Sequence, residues 1–243
     1  MSHLPGAPSP SPPPPPPGWS APPAPPAPQA VLRSPVGLSK AVMILLGLVI
    51  VTDAFAVWQG NHWYRLSGRL LQDFGSVTSR EISAADTLYR ASGIMQDAAS
   101  VATAVLFVVW FHRTRVNAEV FAPDGHEKKR GWAIWGWLVP VVNLWFPRRI
   151  ALDIWDASAD RNSHSTALLN WWWALWVANL LFGRVAGRFY ARAEGLDEIR
   201  GAVAGLMASD LVDLAAAVLA VFFVLRLTRM QHEKALRGPG PAA

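Results

Sequence analysis

The chain has 243 residues, a formal net charge of +5, 52% apolar and 16% charged residues, 20 prolines, 13 tryptophans and no cysteine. A charged fraction well below the roughly 25% of ordinary soluble domains argues against a plain soluble fold, and the missing thiols exclude a disulfide scaffold, a thiolate zinc site and a cysteine nucleophile. This much Trp, Leu, Val and Ala excludes a wholly disordered chain, which leaves an all-α integral membrane protein with a Pro-rich tail.

Residues 1–35 carry 15 of the 20 prolines, six of them in one run at 12–17. Proline lacks the donor that helices and sheets need, so this segment is expected to be a disordered, extended polyproline II tail. It has no basic start followed by an apolar stretch, so it does not read as a secretory signal. Either it serves a protein partner with an aromatic-lined groove or it is a flexible low-complexity tail. Residues 36–237 form the expected helical membrane domain, and 238–243 a short disordered C-terminus.

Five apolar segments follow, at about 41–58, 93–111, 131–147, 167–183 and 201–225. A bilayer core needs about 20 apolar residues in a helix, and lipid cannot satisfy open backbone groups. The first, second, fourth and fifth segments meet that need. The third is interrupted by Gly136, Pro140 and Asn143. It can span as a tilted, kinked helix, or enter and leave on one side. The expectation is four transmembrane helices plus a central broken or re-entrant segment, with five spans as the alternative. Ser83 followed by Asp86 suggests the start of the second helix, which would run to about Ala118. At ~1.5 Å per residue that is about 50 Å, longer than the hydrocarbon core. A similar long helix is expected from about Leu196 to Lys234.

Lysine and arginine counts bear on topology. If all five segments cross, each side carries 11 basic residues. If the third does not cross, the sides carry 14 and 8, and the larger group is expected to be cytoplasmic. That places both termini inside a plasma membrane. A short internal echo points the same way. Residues 113–119 and 227–233 both read x-Thr-Arg-x-amide-x-Glu after an apolar run. Two similar hairpins share an orientation only if the element between them does not cross.

The densest pattern is 131–158, GWAIWGWLVPVVNLWFPRRIALDIWDAS. Arg113, Arg115, Asn117 and Ala118 form an Arg-x-Arg-x-Asn-Ala stretch before it. Then come Gly-Trp-Ala-Ile-x-Gly-Trp-x-x-Pro at 131–140, Asn-Leu-x-x-Pro at 143–147 and Ile-Trp-x-x-Ser at 154–158. In these motifs, and in its Pro-rich start, the chain resembles the actinobacterial membrane family catalogued as DUF4328, over about residues 40–235. Asp153 stands where the resemblance leads one to expect glutamate, which keeps the charge. The resemblance implies a multi-pass membrane protein and brings no activity.

Each part of this motif has a physical reading. Gly131 and Gly136 allow close helix approach. Pro140 frees a carbonyl upstream, and Asn143 can satisfy such a group or line a polar cavity. Trp132, Trp135, Trp137 and Trp145 suit headgroup depth. The segment is either a re-entrant element lining a path or, more plainly, a kinked structural helix. Pro147 suits a first helical position, and the helix it opens is expected to lie on the membrane surface. Ala151, Ile154, Trp155 and Ser158 would form one face, and Arg149 would pair with Asp153.

Asp53, Asp97, Asp210 and Asp213 lie in or near apolar runs, where a charge is costly unless paired or hydrated. Asp210 and Asp213 are one turn apart and could form a proton or cation site with Asp97. The plainer reading pairs them with Arg184 and Arg188, or leaves them in water at a helix end. His3, His62, His112, His126, His164 and His232 show no metal spacing, so no metal or cofactor is expected. No nucleophile–base pair or phosphate loop stands out, so an enzyme is not expected. Basic clusters at 113–115 and 128–130 suit anionic lipid of the inner leaflet rather than nucleic acid. A non-enzymatic scaffold or interaction protein is therefore the first functional expectation, and a small transporter or channel the alternative.

Overall fold

The computed structural model describes residues 32–159 and 165–237. Of the expected tail over 1–35, residues 1–31 lie outside the described residues, as do the end at 238–243 and Asp160, Arg161 and His164; its last residues are described, and the Arg33 backbone is held by Asn117. Helix α1 spans Val36–Gln72, α2 Ser79–Phe121, α3 Trp132–Leu138, α4 Phe146–Ser158, α5 Ala167–Arg192 and α6 Leu196–Arg237. Single 3-10 turns sit at Phe74–Ser76 and Val142–Leu144. The described residues hold no strand. Three helices, α1, α2 and α6, are long and apolar enough to cross a membrane. Helix α5 falls outside that set. Its 26 residues suffice for length, but Asn170, Asn179 and the indole N–H groups of Trp171, Trp172 and Trp173 lower its apolarity.

Helix α2 begins earlier than its sequence suggested. Its cap is Thr78, not Ser83. Thr78 Oγ1 accepts from the Glu81 backbone N–H (3.3 Å), while Glu81 Oε2 accepts from the Thr78 N–H (2.9 Å). This reciprocal box satisfies two otherwise orphaned donors. Ser83 and Asp86 lie within the helix, where Asp86 accepts from Trp63 Nε1 (2.7 Å).

The long helices form two antiparallel hairpins, α1–α2 and α5–α6, with both turns at the same end. At the opposite end Asn117 of α2, Gln231 of α6 and the backbone of Arg33 meet. The short α3 and α4 are packed at this end, between the two hairpins. A seven-residue helix rises only ~10 Å, so α3 does not cross a hydrocarbon core. The central segment is broken, as its Gly and Pro content implied. Its break is a tight turn in which the Val142 N–H donates to Pro140 O (2.8 Å) and Val141 has φ of 69°. The chain then doubles back. At Gly136 a Cβ would meet Phe146 Cβ at 3.4 Å, so glycine permits the close α3–α4 contact. Gly131 makes no such approach; a Cβ there would meet only Trp135.

The hairpins echo each other at a displacement of 114 residues. Thr114, Arg115, Asn117 and Glu119 on α2 correspond to Thr228, Arg229, Gln231 and Glu233 on α6. Both copies form the same i,i+4 pair, Arg115–Glu119 and Arg229–Glu233, each at 2.7 Å. The Asn117–Gln231 bond joins equivalent positions of the two hairpins. The relation breaks in one place. Helix α1 packs along α6, but its counterpart α5 does not pack along α2. Side chains bridge that gap near α3, where Trp137 stands edge-on to Phe107 (5.5 Å), Phe111 (5.6 Å) and Trp176 (5.5 Å).

Trp137 is therefore part of the core rather than a headgroup anchor, whereas Trp135 and Trp145 are exposed. Helix α4 is also a correction. It opens with proline as expected, and Ala151, Ile154, Trp155 and Ser158 do share a face. That face is buried against other helices, not laid on a surface, and Trp155 stacks on Phe223 (6.1 Å). Arg149 pairs with Glu127 (3.3 Å), not Asp153, whose Oδ2 accepts the Glu127 backbone N–H (3.2 Å).

Candidate functional site

Two features converge inside the helical layer. The first is a cluster of acids. Asp53 sits on the inward stripe of α1 with Val42, Leu46, Val49 and Ala56 and is 1% exposed. Gln96 of α2 donates through Nε2 to Asp53 Oδ1 (3.0 Å) and to Asp210 Oδ1 of α6 (3.1 Å). Gln96 and Asp210 are themselves 114 residues apart, so they too are equivalent positions of the two hairpins. Asp53 Oδ2 is buried with no hydrogen-bond partner. Asp213 is half-buried one turn along α6. No ion pair among the described residues involves Asp53, Asp210 or Asp213, and Arg184 and Arg188 do not reach them. The expected pairing with those arginines is thus not made: Asp210 is met by the Gln96 amide, and Asp213 lines the groove. No group of described residues has the makings of a metal site.

Asp97 does not join this cluster; it is exposed. One residue on a helix is a rotation of about 100°, and the inward stripe of α2 runs through Ser92, Ala99 and Thr103. Gln96 continues that stripe and Asp97 leaves it. The stripe of small residues is the signal that could have picked out Gln96 from sequence.

The second feature is a groove of about 1050 Å³ along the open α2–α5 seam. Asp213 and Asn179 lie at its acidic end, Thr103, Phe107 and Trp172 in its middle, and Arg33, Arg113 and Arg130 at its other end. On α2 its wall runs from Ser100 to Val116, or ~24 Å of helix. Its floor includes Ala216, Ala217 and Ala220 of α6, whose small side chains leave the space open.

The basic end has an inner layer. Arg115, 2% exposed, donates to Glu119 Oε1 (2.7 Å) and Lys128 O (2.8 Å). Arg130 closes on the other oxygen of Glu119. Arg115 thus ties the 122–131 loop to α2 and does not face outward to lipid. Lys128 lies over the Phe146 ring (5.0 Å). Burial and the Arg115 charge hold the His126 imidazole below its ordinary range, and both its ring nitrogens are buried. Burial pushes the Asp153 carboxyl above the usual carboxylate range.

The remaining motif residues are structural neighbours of this end. Asn117 is buried, bonded to Arg33 and Gln231. Trp132 packs edge-on against Phe146 (4.9 Å), and buried Pro147 follows at the start of α4. Asn143 donates its backbone N–H to Val139 O (3.1 Å), and its side chain does not line the groove. Pro140 lies at the exposed turn.

These observations define an all-helical protein with three helices fit to cross a membrane, a buried acid cluster and a side groove. The chain belongs to the family described as a domain of unknown function (DUF4328), whose model matches residues 75–229. The match takes in α2 through most of α6 and begins after α1. No curated protein and no solved structure matches the chain.

Proposed function

We propose that this protein is a small proton-coupled transporter of the plasma membrane, with four spanning helices and both termini cytoplasmic. The observation that carries the reading is Asp53, almost fully buried with an unpartnered carboxylate oxygen and no cationic partner. A buried carboxylate lacking a counter-charge is costly, and intramembrane acids mark proton and ion pathways. A proton supplies that counter-charge, and Gln96 couples its presence from α1 to both hairpins. Helix α5 is read as the fourth span because it runs antiparallel along α6 and is ~39 Å long. The 14-to-8 distribution of basic residues orients the hairpin turns outward. The non-enzymatic reading still rests on the lack of a nucleophile–base pair in the sequence.

The test is charge displacement after a pH jump, recorded on reconstituted full-length protein adsorbed to a solid-supported membrane. Wild type is expected to give a transient that Asp53→Asn and Asp210→Asn abolish. A silent wild type would overturn the reading. The scaffold reading keeps its basis in the Pro-rich composition of residues 1–31. Deleting those residues should leave the transient intact in a transporter and remove a captured partner in a scaffold. Single cysteines at Ser76 and Glu194 should label from outside intact cells, and one at Asp124 should not.

A further inference from the structure

The α2–α5 groove is mostly apolar along its middle and differs sharply at its two ends. Ala104 and Val105 on one wall and Trp176 on the other face it, and on α2 its lining is apolar from Ala104 to Val109 before His112 and Arg113 open the basic mouth. At the mouth, Arg113 has no carboxylate within ion-pair distance among the described residues. Arg115 and Arg130 share the single carboxylate of Glu119 as their ion-pair partner. Arg33 adds a further cation, its backbone clamped by Asn117 at 3.0 and 2.8 Å. The far end carries the opposite charge, at Asp213.

We propose that this groove binds one anionic phospholipid drawn sideways from the bilayer, its phosphate at Arg113, Arg33 and Arg130 and an acyl chain along Thr103, Ala217 and Ala220. Three physical points favour this occupant. The groove is open along its side, so a lipid enters without leaving the membrane. Its ~24 Å length suits an extended chain, which meets side chains as apolar as the lipid tails it leaves. Its polarity is complementary to an anionic amphiphile in one orientation only, because Asp213 repels a phosphate at the other end. The chain's own tail is a poorer occupant: residues 1–31 contain no aspartate or glutamate to meet the arginines. The site is a built one, created where α5 stands off from α2 although α1 packs along α6. It goes beyond the proton reading and does not depend on it.

Native mass spectrometry on the full chain in neutral detergent tests this, with equimolar phosphatidylglycerol and phosphatidylcholine added. Wild type should retain one phosphatidylglycerol with about tenfold preference, the equivalent of one charge-assisted contact. Arg113→Gln should abolish the preference, and Arg113→Lys should restore most of it. Ala104→Trp, at an exposed position on the groove wall, should cut retention of both lipids severalfold by filling the space. Asp53→Asn should retain lipid as wild type does, which separates this site from the proton site. Equal retention of the two lipids by wild type, or retention untouched by both Arg113→Gln and Ala104→Trp, would overturn the proposal. So would a rise in retention on deleting residues 1–31, which would name the tail as the occupant.

Discussion

Asn117 Nδ2 donates to Gln231 Oε1 at 3.2 Å, joining equivalent positions of two hairpins 114 residues apart. Gln231 Nε2 in turn donates to Thr114 O (2.9 Å) and Ser158 Oγ (3.2 Å). The same Asn117 amide bonds both backbone groups of Arg33. One buried amide pair therefore ties α2, α6, α4 and the start of the chain together.

Replacing Asn117 with alanine should lower stability by about 2 kcal/mol, because it leaves the Gln231 carbonyl and the Arg33 backbone groups unsatisfied. Thermal unfolding in detergent reads this. The double variant with Gln231→Ala should lose clearly less than the sum of the singles, since both remove one shared bond.

The two copies of the Arg–Glu pair should differ in value. Arg115→Ala leaves Glu119 with Arg130 alone and strands the Lys128 carbonyl in a buried setting, at a cost of about 3 kcal/mol. Arg229 is 76% exposed on its side chain, so Arg229→Ala should leave the unfolding temperature unchanged. Equal effects at the two positions would contradict the burial difference.

Val141 adopts φ of 69° and ψ of −51°, with a hydrogen bond from Val142 N to Pro140 O, the strained form of a three-residue turn. A β-branched residue pays ~1–3 kcal/mol there, while glycine's extra chain entropy offsets about 1 kcal/mol. The Val141 side chain is exposed and gives up little on removal. Val141→Gly should therefore raise the unfolding temperature. A fall would show that the side chain contributes more than the strain.

His126 should make the protein acid-sensitive. Its folded value lies below the ordinary 6.5, since burial and Arg115 oppose the imidazolium. The native state then binds this proton more weakly than the unfolded chain. The stability tied to His126 is whole above 6.5 and is lost as pH falls from there through the lower folded value. Unfolding temperatures measured from pH about 8 to about 5 should fall less steeply in His126→Gln than in wild type.

Much of this architecture was legible in the chain. The apolar runs located the long helices, and Gly136 with Pro140 marked the break. The Thr-Arg-x-amide-x-Glu echo pointed to paired hairpins of one orientation. These signals are local: periodicity, propensity and turn chemistry act within a few residues. The α2 cap was equally local, and Thr78 with Glu81 satisfied its pattern better than Ser83 did.

The acid cluster was legible only in part. Asp210 and Asp213 stood out by spacing on one helix, but their partners depend on how three helices rotate and slide against each other. Gln96 faces inward and Asp97 outward because tight packing along Ser92, Ala99 and Thr103 fixes the rotation of α2. The burial of Arg115, the inward turn of α4 and the standing-off of α5 are of the same kind. The sequence by itself determined the helical class, three of its four membrane-length segments, the broken centre and the echo between the hairpins, because each follows from neighbours along the chain. Only the tertiary structure decided which polar groups meet and where the groove opens, because those depend on contacts between residues on different helices, from tens to more than a hundred positions apart.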